Sequence, residues 1–121
     1  MNLLQIIQIQ NMKTFHIKIH SISDIITNSS SEVFVFNSKL YNEKTIITLL
    51  NKLLEVDGRE YDETFGRILP ASELLLNNGL EEAAASCDSK DLAVTAFTDI
   101  TPYWMRLYLG DLDGVDEYDI Y

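Results

Sequence analysis

Four consecutive residues, Val33-Phe34-Val35-Phe36, are apolar and β-prone whichever way they point. Successive side chains of a strand project to opposite faces, so this run needs apolar cover on both sides and reads as a central strand. The stretch Phe15-His16-Ile17-Lys18-Ile19-His20 behaves differently. Phe15, Ile17 and Ile19 fall on one face and His16, Lys18 and His20 on the other, the pattern of a half-buried strand. Between the two, Ser21 to Ser31 turns the chain, with Ser, Asp and Asn side chains available to bond nearby backbone. Asp24 to Asn28 can alternatively form a short helical turn.

A different period follows. Asn42 is placed to cap a helix running to about Val56, in which Ile46, Ile47, Leu49, Leu50, Leu53 and Leu54 form a broad apolar stripe. Glu43, Lys44, Lys52 and Glu55 are expected to face out, and Asp57-Gly58 ends the helix at a left-handed cap. Residues 59–69 read as loop with a short strand near Phe65. Pro70 opens a second helix through Leu76, Leu80 to Cys87 is a third, and Asp88 to Asp91 is a turn. Leu92 to Phe97 reads as a strand. Thr101-Pro102 starts a helix over Tyr103–Leu109, with threonine as the cap and Gly110 as the stop. Residues 111–121 are acidic and alternate at their end, as an edge strand or a loose tail. The order predicts one α+β domain over 12–121, with a small mixed sheet, one main amphipathic helix and two or three shorter helices. Residues 1–11 read as an extension or an upstream start, because Met12 opens a clean strand.

The chain has 121 residues, enough for a core without metals or disulfides. A single cysteine, Cys87, excludes an intrachain disulfide and a cysteine metal cage, and its small-residue surroundings make it a packing thiol. No run of about 18 apolar residues spans a membrane. The start lacks a basic segment and a small-residue cleavage site, so it is a poor secretory signal, and the Asn28-Ser29-Ser30 sequon is discounted with it. Charge is unevenly placed. Residues 1–60 carry six basic and six acidic groups, whereas residues 61–121 carry three basic and thirteen acidic ones, which accounts for the net charge of −10. Such a half repels a phosphate backbone, so direct nucleic-acid binding is not expected. It suits a solvated surface, a basic partner, or imitation of a nucleic acid.

No cofactor or metal site emerges. His16 and His20 lie about 13 Å apart on a strand, too far for one ion. Asp111, Asp113 and Asp116 around Gly114 resemble a calcium loop poorly, since an EF-hand needs glycine at its sixth position and glutamate at its twelfth. Thr27, Asn28, Ser29, Ser30 and Ser31 offer hydroxyls and amides but no glycine or adjacent lysine, so they form no phosphate loop. A serine nucleophile there would need His16 or His20 as its base, and neither sits in a recognisable motif. Adjacent carboxylates such as Glu81-Glu82 or Asp62-Glu63 are not placed around a cleft. The Tyr103–Leu109 helix is apolar or aromatic at six of seven positions, all the way round. It is either core or a partner contact, and Tyr103, Trp104, Met105, Arg106 and Tyr108 are of the kinds enriched in interface hot spots.

Residues 12–19 (Met-Lys-Thr-Phe-His-Ile-Lys-Ile) and 22–35, with the core Thr27-Asn28-Ser29-Ser30-Ser31-Glu32 before an apolar strand, resemble the opening of small, largely uncharacterised proteins of tailed bacteriophages. The group is the crAss-like phages of gut Bacteroidetes. The resemblance covers about a fifth of the chain and implies a phage origin, in a host bacterial cytoplasm or a virion. It supplies no catalytic residues, and residues 1–11 depart from its pattern. Three expectations follow. The first is a non-enzymatic phage protein acting through protein–protein contacts with phage, host or like subunits, possible virion structural or accessory roles included, through the 103–108 residues and the acidic Asp111, Asp113, Asp116 and Glu117. The second is an acidic anti-defence inhibitor that mimics nucleic acid. The third is a small hydrolase or transferase built on the Ser-rich turn.

Overall fold

The computed structural model describes residues 30–58 and 64–120. The expected strand Phe15–His20, the extension 1–11, Thr27–Ser29 of the polar turn and the loop residues 59–63 lie outside them.

The described order is β1 (Ser31–Phe36), α1 (Glu43–Val56), β2 (Leu69–Pro70), α2 (Ala71–Asn77), α3 (Glu81–Ser86), β3 (Leu92–Phe97), α4 (Tyr103–Gly110) and β4 (Val115–Ile120). Four strands form one sheet in the order β2-β3-β1-β4, an α+β fold with one long helix and three short ones. Every described pairing is antiparallel, where a mixed sheet was expected. The acidic tail adds an edge strand.

All six residues of β1 are buried. Alternation explains how. Phe34 and Phe36 share a core with Val94, Ala96 and Val115 from neighbouring strands, with Ile46, Leu49, Leu50, Leu53 and Leu54 of α1, and with Met105 and Leu109 of α4. Val33 and Val35 face the other way and pack with Ala93, Leu69, and Ala71, Leu74 and Leu75 of α2 and Ala84 of α3. Helices therefore cover both faces: α1 and α4 on one, α2 and α3 on the other.

Local chemistry sets the element ends. The Asn42 side chain accepts the Thr45 amide at 2.8 Å, and Gly58 takes φ +78° beyond the far end of α1. Tyr41 packs edge-on to Phe36 with ring centroids 5.2 Å apart, and its hydroxyl donates to the Asp113 carbonyl at 2.7 Å. This ties the start of α1 to the turn before β4. Gly114 closes that turn at φ +78°, and its carbonyl accepts the Asn37 amide at 2.8 Å. The Asp91 carboxylate accepts the amides of Ser38 and Asp88, each at 2.9 Å, joining the turns at one end of the sheet.

Two local expectations are corrected. Lys52 does not face out; it is buried, and its ammonium reaches Glu55 Oε2 at 3.0 Å. Its long apolar stem lets it be covered while the charge keeps a partner. Thr101 does not cap α4. Pro102 holds the N-cap position, and the buried Thr101 hydroxyl donates to the Thr64 carbonyl at 3.1 Å.

Thr95 provides the contrast, because its buried hydroxyl has no hydrogen-bond partner among the described residues. A buried hydroxyl left unpaired is destabilising, whereas a bonded one is mildly stabilising. Thr95→Val should raise stability, and Thr101→Val lower it, by about 1 kcal/mol each. Urea unfolding of the two variants checks both signs.

Candidate functional site

The first residues of β1, the ends of β3 and β4, and α4 meet at one end of the sheet. There Ser30, Ser31, Glu32, Thr98, Arg106, Asp119 and Ile120 line an open cleft of about 180 Å³. Ser30 is engaged in a clasp. Its carbonyl accepts the Thr98 amide at 3.2 Å and the Thr98 hydroxyl at 2.8 Å, and the two hydroxyls lie 2.7 Å apart. With the Thr98 proton given to the carbonyl, the Ser30 hydroxyl is the donor of that last pair. Ser31 is buried and its hydroxyl has no hydrogen-bond partner among the described residues. Strand alternation turns it to the face opposite Glu32. The two described serines of the polar turn therefore point to different places, and no described base stands beside either.

Arg106 organises the other wall. Its Nε donates to the Thr101 carbonyl at 3.2 Å, one terminal nitrogen reaches Glu32 Oε1 at 2.5 Å, and the guanidinium lies 5.3 Å from the Tyr103 ring centre. Glu32 is only 8% exposed, so this ion pair is shielded from solvent. Across the strand, Asp119 pairs with Glu32 in register, and Glu117 lies one pleat further on the same face. One carboxylate oxygen from each of the three comes within 4.8 Å of the others. That spacing could accommodate a divalent cation, but Arg106 already bonds Glu32 and its charge opposes a second cation there. Gly110 makes room for this cluster. A β-carbon at that position would stand 2.6 Å from Glu117 Oε2.

The outer face of α4 is apolar and uncovered. Tyr103 is 67% exposed, Leu107 49%, Trp104 39%, and Ile100 in the preceding turn 42%. At helical spacing Tyr103, Trp104 and Leu107 form one stripe. The Trp104 indole donates to Asp57 Oδ1 at 3.3 Å, which holds the ring against the end of α1.

The structure thus divides the residues singled out in the sequence. Tyr103, Trp104 and Arg106 lie together on the accessible side of α4. Met105, expected with them, is a core residue, packed with Leu109 against β1. Tyr108 is half-buried and its hydroxyl is enclosed with no hydrogen-bond partner among the described residues. Asp111 and Asp113 are exposed in the turn before β4. Alternation along β4 sends Asp116 to the α2–α3 side and Glu117 to the α1–α4 side. Ile100, Leu107 and the Glu32–Arg106 pair were not foreseen. Leu107 was visible only as one apolar residue in a helix apolar all round, and Glu32 and Arg106 are 74 positions apart. Thr27, Asn28, Ser29, His16 and His20 lie outside the described residues.

No protein-family profile matches the chain, and no curated protein or solved structure is significantly similar to it. No described helix is long and apolar enough to cross a membrane.

Removing the guanidinium would strand a covered carboxylate. Arg106→Met should cost about 2–4 kcal/mol in urea unfolding, and adding Glu32→Gln should recover most of it. Tyrosine ionisation gives a second check. Burial, then Asp113, raises the Tyr41 pKa above 10.0; burial, then Tyr41, raises that of Tyr108; burial, then Asp116 and Cys87, raises that of Tyr118. Folding therefore favours the protonated phenols. Their contribution is complete below the unfolded-state value and is lost as pH rises through the folded ones. The urea midpoint should fall above about pH 10, in step with phenolate absorbance.

Proposed function

We propose that this chain is a non-enzymatic bacteriophage protein that works by protein–protein contact, as a virion structural or accessory component, and that the outer face of α4 is its contact surface. The observation that carries the reading is the uncovered stripe Tyr103, Trp104 and Leu107 with Ile100 beside it. Three features favour this stripe as an anchor. Aromatic and arginine side chains dominate interface hot spots. The rings are held in place before any partner arrives, Trp104 by Asp57 and Tyr103 beside Arg106, so binding immobilises less. The face is rooted by Met105 and Leu109 in the core, so the stripe sits on a packed element. The phage origin rests on the resemblance of residues 12–19 and 22–35.

Imitation of a nucleic acid is less well supported, because β4 divides its carboxylates between two faces and Glu81 and Glu82 stand on α3, on the α2–α3 side of the sheet. A catalytic use of the polar turn finds Ser30 bonded to Thr98 and Ser31 buried.

Trp104 is the only tryptophan and lies on the proposed surface, so its emission reports whether that surface is covered. Light scattering at low and high salt should show a salt-resistant assembly, either of this chain alone or with purified virion proteins, accompanied by a blue shift of Trp104. Tyr103→Ala/Leu107→Ala should weaken that assembly roughly tenfold or more while changing stability by less than about 1 kcal/mol. An unchanged assembly in the double variant, or a Trp104 emission that never moves, overturns the reading.

A further inference from the structure

Carboxylates border the exposed stripe of α4. Around the helix, Tyr103 and Leu107 lie between Trp104 on one flank and Arg106 and Gly110 on the other. The Arg106 guanidinium is committed to Glu32, so its charge is matched before any partner arrives. Beside Gly110 the exposed Glu117 presents its Oε2 2.6 Å from the place where a β-carbon of residue 110 would stand. Residues three apart on a helix have β-carbons about 5–6 Å apart, so this carboxylate lies roughly one side-chain length from Leu107. Asp111, exposed just beyond the C-terminal end of the helix, adds a second negative charge. On the opposite flank Asp57 accepts the Trp104 indole proton.

We propose that the partner of this face is a basic amphipathic helix of another protein. Its apolar residues pack on Tyr103 and Leu107, and a lysine or arginine at their edge meets Glu117. The inference rests on the reading of the stripe as a contact surface and adds the chemistry of what that surface accepts. Shape favours a helix, because Tyr103 and Leu107, four apart, form a ridge that a second helix accepts between its own rows. Charge favours a basic one, and the net charge of −10 acts in the same direction at long range. A second copy is a poorer occupant. Two α4 helices paired antiparallel set their Glu117 borders side by side. Paired parallel, they set each Glu117 toward the Asp57 flank of the other. Either arrangement brings carboxylates together, and like charges across a contact oppose it. An acidic helix is disfavoured on the same ground. An ion pair at the exposed Glu117 governs selection and speed of encounter more than affinity, which comes from the rings and Leu107.

The test uses short amphipathic helical peptides, free of tryptophan, that share one leucine face and carry arginine, glutamine or glutamate along its edges. Trp104 is the only tryptophan of the chain, so its emission reads their binding to the full chain. At low salt the arginine peptide should bind about tenfold tighter than the glutamate peptide, with glutamine between, and the gap should close as salt rises. Glu117→Gln should narrow that gap about threefold, and Glu117→Lys should narrow it further. If Glu117→Lys fails to fold, the isosteric Glu117→Gln decides. Equal binding of all three peptides, or a preference that Glu117→Gln leaves unchanged, overturns the basic partner and leaves the stripe a contact surface. A blue shift of Trp104 that grows with protein concentration in the absence of peptide assigns the face to a second copy and likewise overturns it. An emission that no peptide moves at millimolar concentration overturns it too, and the assembly with virion proteins then judges the contact surface on its own.

Discussion

Everything described here is arranged around the burial of β1 on both faces. A strand with phenylalanines on one side and valines on the other is stable only between two apolar layers. The α1–α4 layer supplies long leucines and a methionine for Phe34 and Phe36, and the thinner α2–α3 layer supplies alanines and leucines for Val33 and Val35. The difference in side-chain size suits the difference in cover. β3 and β4 then flank β1 because its backbone groups must be paired once water is excluded.

Much of this arrangement could be read from the sequence where one local rule dominates. The helix from Asn42 to Gly58 combines a cap, a stripe and a stop, and it forms as expected. The edge strand at 115–120 shows as alternation, although its acidic composition also fitted a tail. Legibility fails where tertiary partners decide. Thr101-Pro102 has the composition of a cap, yet the hydroxyl finds a better use on the Thr64 carbonyl. Lys52 is covered by its surroundings, a fact that no helical wheel contains. The α4 segment is the clearest case. Its composition is apolar all round, so periodicity gives no orientation, and only the packing of Met105 and Leu109 on β1 leaves Tyr103, Trp104 and Leu107 outside. The pairing of Glu32 with Arg106 arises from topology alone.

The charge of the C-terminal half takes on a more specific meaning in the fold. Along β4 the acidic residues do not form one surface; they alternate with Tyr118 and Ile120, and so discourage edge-to-edge association of like copies. The apolar stripe of α4 stands apart from them on the outer side of the first layer.

Gly110 shows how closely two elements of this protein constrain each other. Helix propensity alone would favour alanine at the last position of α4. The neighbouring strand favours the opposite, because the far end of the Glu117 side chain lies where a β-carbon would stand. The residue that would improve the helix would displace an acidic side chain on another element and rearrange the cluster with Glu32 and Asp119. The missing methyl at position 110 therefore acts as a spacer of zero thickness. It lets the Glu117 carboxylate lie against the end of α4, and so brings the acidic border of β4 next to the helix that carries the exposed aromatic face.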